Sequence, residues 1–354
     1  MKTIAVLLLL LDFAGPTVAQ QPEQNKFSWT ISFETYYLYD FNKPASKQLP
    51  GFLYSHSKNN QFSINYALLD VHYIDSSMHV NLGLISGDYS QRNYSVEPET
   101  YRHLFEANIG FQIWNRLWID AGIMSSHIGL ESAITYDNLT LTHSIMAHNS
   151  PFYETGIKLS YSTGNWILAF LILNGWQNIN DNNNNKAIGA QVQWKPSDKL
   201  LLNSSSFIGD GTNLPDSLSV TRYFHDFYFT YSLTNEISLA GTYDIGIQQK
   251  SQGASDYYTW WGSALVLKYK FNNNLSVSAR GEYFDDKNQV IVKTATLDGF
   301  QVSGLSINLD YLAKGNILLR LEAKHLNSKD NLFQKDKSLT DSCNMLISSI
   351  AVKL

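Results

Sequence analysis

Apolar side chains recur at every second position along most of this chain, and a period of two admits strands while excluding amphipathic helices. Between Glu236 and Gln248, Ile237, Leu239, Tyr243, Ile245 and Ile247 fall on one face, with Glu236, Ser238, Thr242, Asp244 and Gln248 on the other. Between Pro151 and Ser162, Tyr153, Ile157, Leu159 and Tyr161 oppose Glu154, Gly156, Lys158 and Ser160. Phe105, Ile109, Phe111 and Ile113 oppose Glu106, Asn108 and Gln112; Ile317, Leu319 and Leu321 oppose Arg320, Glu322 and Lys324. Trp29, Ile31, Phe33, Tyr37 and Tyr39 likewise oppose Ser28, Thr30, Ser32 and Glu34. Two segments, Trp166 to Leu173 and Leu297 to Leu309, are apolar on both faces, which predicts bulges or contacts with an inserted plug.

The connections alternate in length. Tight turns are expected at Ser76-Ser77, Asn115-Arg116, Thr163-Gly164, Pro196 to Asp198, Leu233 to Asn235, Asn272 to Asn274 and Ala313 to Asn316. Longer polar stretches separate them, near 40–60, 88–102, 126–150, 175–186, 209–220, 249–256, 286–296 and 327–343. Seven turns and eight loops join about sixteen strands, an even number with both chain ends on the turn side, as in a bacterial outer-membrane barrel. The fold class read here is all-β, a transmembrane antiparallel up-and-down barrel with short periplasmic turns and long external loops.

Charged residues make up only 16% of the chain and aromatics 13%, a balance suited to a surface that meets lipid. Lys and Arg number 26 against 31 Asp and Glu, without a basic block, so nucleic acid is not an expected partner. The single cysteine, Cys343, cannot close an internal disulfide. Lys2, the apolar run Ile4 to Leu11 and the small-residue site Thr17-Val18-Ala19 read as a secretory signal, so residues 1–19 are assigned to it and 20–354 to one barrel domain. No run of about 18 apolar residues follows, which removes a membrane helix. A secreted sandwich also alternates, but its loops need not alternate in length from end to end. Aromatics discriminate further: Tyr161, Trp194, Tyr231, Tyr269 and Tyr311 lie beside the turns, and Trp176, Tyr223, Tyr257, Trp260 and Trp261 near the loops, as two interfacial girdles require.

Within Asp120 to Asp210 the segments AGIMSSHIGLES, HNSPFYETGIKLSY, LNGWQNINDNNNNKAIGAQVQW and KPSDKLLL resemble the OmpL-like β-barrel porin family of Gram-negative bacteria. That family's inward-bending G-x-E, F-x-x-T-G strand, N-G-W-D-N loop and P-T-D-K turn are matched by Gly129 to Glu131, Phe152 to Gly156, Asn174 to Asn178 and Pro196 to Lys199. Gln177 stands where the loop carries an acid, and the chain ends in Leu354 rather than an aromatic. The resemblance implies an outer-membrane porin.

Asn178 to Lys186 places side-chain oxygens at alternate positions, as a calcium loop does, but with one carboxylate, Asp181, it reads as a solvated loop. His148 and Ser150 could mimic the pair of an outer-membrane phospholipase, yet they share the lumenal phase of Glu154. The nine histidines show no metal-binding spacing, so a metal site would need distant segments folded together, and no cofactor is expected. Gly87-Asp88 and Gly209 to Gly211 are turn residues.

The chemistry is expected in the wet phase of the strands. Acids there are Glu34, Glu106, Asp120, Glu154, Asp226, Asp244, Glu282 and Glu322; bases are Lys158, Arg222, Lys268, Arg280, Arg320 and Lys324. Rings of such charges tune ion preference, and a mixed lining predicts weak selectivity once cross-strand pairs, including one of Arg280, have formed. Ser125 to Ser150 is expected to fold into the lumen and pack on Trp118 and Phe224, leaving Glu131 and Asp137 facing the aperture. The expected partners are outer-membrane lipid and small hydrophilic solutes and ions, and a homo-oligomer such as a trimer is compatible with the fold. General diffusion leads; a sugar-specific channel using Tyr36, Trp118, Tyr228, Tyr258 and Trp260, and a non-conducting or enzymatic barrel, remain as alternatives.

Overall fold

The computed structural model describes residues 26–181, 183–211 and 219–354. The signal segment therefore lies outside the described residues, as do Asn182 and most of the 209–220 loop. Strands follow in the order β1 (Phe27–Asp40), β2 (Phe62–Ile74), β3 (Met78–Ser86), β4 (Leu104–Trp114), β5 (Leu117–Ser125), β6 (Tyr153–Thr163), β7 (Trp166–Leu173) and β8 (Ala187–Ser197). They continue through β9 (Leu200–Asp210), β10 (Thr221–Ser232), β11 (Ile237–Gln249), β12 (Tyr257–Lys270), β13 (Leu275–Asp286), β14 (Phe300–Leu312) and β15 (Ile317–Ser328). A small hairpin, β16 (Phe333–Lys335) and β17 (Ser338–Thr340), precedes β18 (Ser342–Lys353). Sixteen strands close a barrel in which each pairs antiparallel with its sequence neighbour and β1 pairs with β18. Closure leaves no edge strand, the condition for a sheet to stand in lipid. No helix among the described residues is long and apolar enough to cross a membrane.

Local chemistry sets the turns. The Asp75 carboxylate accepts from the amides of Ser77 and Met78, and the Asn272 carbonyl from those of Asn274 and Leu275, so each side chain closes its own turn. Gly164 turns the β6–β7 hairpin at φ +54°. Along the strands the expected phase is observed: Ile157, Tyr243, Ile245, Leu319 and Leu321 are exposed on the outer wall, while Glu154, Asp244, Arg320 and Glu322 are buried inside.

Trp176, Trp260 and Tyr153 depart from the sequence reading, and the doubly apolar segments decide between the two alternatives it left open. The doubly apolar segments contain no bulge; Leu171, Leu173, Phe300 and Val302 turn inward into an apolar cluster with loop residues, and the register shifts fall at Glu34/Thr35, Gly83/Leu84, Gln112/Trp114 and Trp194/Ser197. Trp176 and Trp260 do not belong to a girdle. Trp260 is fully buried on the inner wall, and Trp176 packs edge-on against Phe207 and Phe224. Tyr153 keeps the outward phase but is buried, because its ring stacks on Tyr94 of the β3–β4 loop at 4.2 Å. The girdle near the turns includes Trp166 stacked on Trp194 at 5.3 Å.

Candidate functional site

The β5–β6 connection, residues 126–152, runs inside the barrel. Gly129 bends it at φ +94°, a left-handed conformation that costs a side-chain-bearing residue energy. A single helical turn, α2 (Ile145–His148), follows, with Ser144 Oγ accepting from Ala147 N at 3.1 Å. The loop leaves the wall at β5 and reaches β13, β14 and β15, which in a ring of sixteen strands stand diametrically opposite.

The far wall receives it through charge-assisted bonds. Glu322 accepts from Thr142 N and Thr142 Oγ1, both at 2.7 Å. Arg280 donates to Thr140 Oγ1 at 2.7 Å, Thr142 O at 2.5 Å and Thr142 Oγ1 at 2.9 Å, and pairs with Glu322 at 3.2 Å. Glu282 accepts from Ile145 N at 2.6 Å and pairs with Lys324 at 3.0 Å; Lys324 also donates to His143 O at 3.0 Å. Arg320 donates to Thr135 O and Asn138 O, and is held by Asp310, which also pairs with Lys268 at 2.9 Å. Glu34 on β1 accepts from Thr135 Oγ1 at 2.7 Å and from His56 and Asn65. On the remaining arc Asp244 accepts from Ser150 Oγ at 2.9 Å beside Asp226, and Glu154 accepts from His127 Nδ1 at 2.8 Å. Irregular backbone at membrane depth is tolerated only when its polar groups find such partners.

Two loop acids sit differently from the expectation that they would face the aperture. Glu131 turns back within the loop and accepts from Ser144 N at 2.9 Å, and burial raises its pKa. Asp137 pairs with Lys353 of β18 at 2.7 Å. The loop's Ile128, Leu141, Ile145 and Met146 join one apolar cluster with Phe224; Trp118 is not part of it and stacks on His79 at 5.1 Å. His148 and Ser150 lie on this buried loop rather than on a strand and use separate partners, Tyr54 N and Asp244. Asp181 of the polar loop is paired with Lys186, and Asn183 donates to Asp210 at 3.0 Å.

Two histidines tie the inserted loop to the β1–β2 loop as neutral imidazoles. His143 Nε2 donates to Ser132 O at 2.8 Å, so Nδ1 must be the acceptor of the Ser55 hydroxyl at 3.0 Å. Burial pushes the pKa of His143 down to about 3, and burial together with His143 lowers that of His148.

The other charges expected in the lumen lie nearer its openings. Arg222 is bound to Gln248 at 2.7 Å with its guanidinium 4.7 Å from the Trp176 ring and 5.2 Å from that of Trp260. Beside it Gln248, Tyr258, Asn288 and Lys293 help line a cavity of about 280 Å³. Toward the turns, Asp120 accepts from His79 at 2.6 Å with Lys158 at 3.8 Å, and Glu106 lies near Asp70 and His72. Asp310, Lys353, His56 and His127 were missed in the sequence. Asp310 follows Ser306 and Asn308 in strict alternation, a signal hidden by assigning its segment to a broken phase.

A closed sixteen-strand barrel with lipid-facing apolar residues, a charged inner wall and a loop folded into the lumen defines an outer-membrane porin of Gram-negative bacteria. The chain belongs to the family described as "Putative beta-barrel porin-2, OmpL-like", whose model matches residues 26–354. No curated protein matches it. Among solved structures it is similar to OmpT of Vibrio cholerae in a trimer form, with 10% identity, a TM-score of 0.58, and 93% of this chain and 99% of that chain covered. It is similar to the anion-selective porin of Comamonas acidovorans, with 10% identity, TM-score 0.59, and 93% and 99% covered. The outer-membrane channel DcaP of Acinetobacter baumannii has 10% identity, TM-score 0.57, and 93% and 97% covered. At these identities the likeness is one of fold.

Proposed function

We propose that this porin is a non-enzymatic diffusion channel for small hydrophilic solutes and ions, in which residues 126–152 form the constriction. The observation that carries the reading is the anchoring of that loop to the wall opposite its origin, through Arg280, Glu282 and Glu322. Flow through a pore is limited by its narrowest section. Glu106, Lys158 and Lys268 keep partial exposure to the lumen and their mixed signs support weak ion preference, whereas Asp120, Glu154, Arg222, Asp226, Asp244 and Arg320 are buried in contacts with the wall or its loops. Deleting Ser132 to Ala147 raises single-channel conductance in planar bilayers. Unchanged conductance from a correctly folded deletion protein overturns the constriction. The trimer form of the similar Vibrio porin supports a homo-oligomer here, embedded in lipid through the exposed apolar band.

A second reading, a channel preferring anionic or sugar-like solutes, is favoured by the cavity of about 280 Å³ that Arg222, Gln248, Tyr258 and Asn288 help line at the outer mouth. Flux that saturates with solute concentration, and loses saturation in Tyr258→Leu, distinguishes it.

A further inference from the structure

On the half-exposed wall near the periplasmic turns, Asp70 and His72 stand two apart on the inner face of β2, and Glu106 reaches toward them from β4. The strand between them, β3, contributes Gly83 at this level, and any side chain there would crowd Asp70 and Glu106. The missing side chain brings the three groups together: one ligand atom from each lies within 4.8 Å of the other two.

The protonation of His72 follows from its neighbours. Asn108 Nδ2 donates to the Ile123 carbonyl at 2.9 Å, so its Oδ1 accepts from Asn81 Nδ2 at 2.8 Å. Asn81 Oδ1 must then accept from His72 Nδ1 at 2.7 Å. A relay starting at a backbone carbonyl, which can only accept, thus fixes a proton on Nδ1 and makes Nε2, 3.4 Å from Asp70 Oδ2, the ring nitrogen open to a second proton or a metal ion. A ring nitrogen facing a carboxylate takes either a proton or a metal ion between them, and the separation distinguishes the two. The adjacent His79–Asp120 pair shows what a shared proton gives, a separation of 2.6 Å. Zinc bonded to imidazole nitrogen and carboxylate oxygen at about 2.0–2.2 Å in tetrahedral geometry would hold those atoms roughly 3.4 Å apart. The other Asp70 oxygen, Oδ1, is buried without a hydrogen-bond partner.

We propose that Asp70, His72 and Glu106 form a binding site for a divalent transition cation such as Zn²⁺ on the lumenal wall. One imidazole and two carboxylates suit such an ion, and three protein ligands leave a coordination position for water. The relay through Asn81 and Asn108 orients the imidazole as an outer hydrogen-bond shell does in metal sites.

The test is equilibrium titration of the folded, detergent-solubilised full chain with Zn²⁺ against a fluorescent chelator, and with Co²⁺ followed by visible absorption. One saturable equivalent per barrel is expected, with ligand-field bands for Co²⁺. His72→Gln weakens binding at least tenfold, whereas His325→Gln on the lipid-facing wall leaves it unchanged. Glu106→Gln serves as the second variant if His72→Gln fails to show the heat-modifiable mobility of a folded barrel. Absence of saturable binding, or equal binding by the folded ligand variants, means that a proton alone occupies the gap and overturns the site. The measurement is made without conduction, so its failure leaves the channel reading untouched.

Discussion

Arg280 is the residue whose loss should most directly free the inserted loop. Its guanidinium is fully buried and makes three bonds to the loop, at 2.5–2.9 Å, besides its contact with Glu322. Arg280→Met keeps most of the side-chain volume but removes every donor. A hydrogen bond to a charged group contributes about 1.5–3 kcal/mol, and breaking a buried ion pair from one side costs about 3–5 kcal/mol because the partner is left uncompensated. The losses overlap, so the larger single figure bounds the effect on docking. At 1.36 kcal/mol per factor of ten, that is a shift of roughly two to nearly four powers of ten in the docked-to-undocked ratio. Glu322 retains its bonds to Thr142 N and Oγ1, so the loop should flicker rather than leave permanently. Planar-bilayer recording should show increased open-channel noise and a larger conductance substate. Undocking of the loop uncovers Glu282 and Glu322, which should also move reversal potentials toward cation preference. Folding is checked by heat-modifiable mobility. A folded Arg280→Met barrel with wild-type conductance, noise and reversal potential would refute the anchoring argument.

Three further outcomes follow from the same geometry. Ile157→Arg, on the exposed outer face, should lower folding stability in lipid by about 2–4 kcal/mol, whereas Ser160→Arg on the inner face should fold normally; equal costs in denaturant titrations would contradict the register. Loop docking should weaken in acid. The folded pKa of His143 lies near 3, below its unfolded value of about 6.5, so its contribution is intact above pH 6.5 and falls as pH drops, by about 2 kcal/mol at pH 5. Glu131, with its raised pKa, acts in the opposite sense, losing stability as pH rises, but His148 reinforces His143; channel noise that does not rise between pH 7 and 5 would refute the reasoning. Cys343 is buried in the lumenal apolar cluster and should resist a polar maleimide in the folded barrel while reacting in denaturant; rapid labelling of the folded state would mean that the cluster is open.

The barrel was legible because the evidence for it is local. Whether Ile245 faces lipid and Asp244 the lumen follows from one residue's offset, and the alternation of short and long connections needs no knowledge of contacts. The loop's inward course was legible at Gly129 and in its apolar runs, but its destination was not. Thr142 meets Glu322 across 180 positions of sequence, and Arg320 meets Thr135 across 185, separations on which no periodicity bears. The metal-capable cluster was hidden for a related reason. Glu106 was read as lumenal, yet its partners Asp70 and His72 were not singled out, because they converge only where Gly83 leaves a gap in the strand between.

The wall charges have a structural duty that the alternation pattern alone does not reveal. Leu141 N is satisfied by Asn308, Thr142 N by Glu322, Ser144 N by Glu131 and Ile145 N by Glu282, so side chains cap four amides that would otherwise be paired in a helix or sheet. Here β13, β14 and β15 supply acceptors for an irregular chain held far from bulk water, while Arg280 and Lys324 balance the acids and bind its carbonyls. Charges used in this way are buried and cannot meet a passing ion. Among the described wall groups, Asp70, His72, His79, Glu106 and Lys158 on the β2–β6 side stay partly exposed, as does Lys268 of β12, which is paired with Asp310. Ion preference should therefore respond to changes on β2–β6 directly, and to changes on β13–β15 chiefly through movement of the loop.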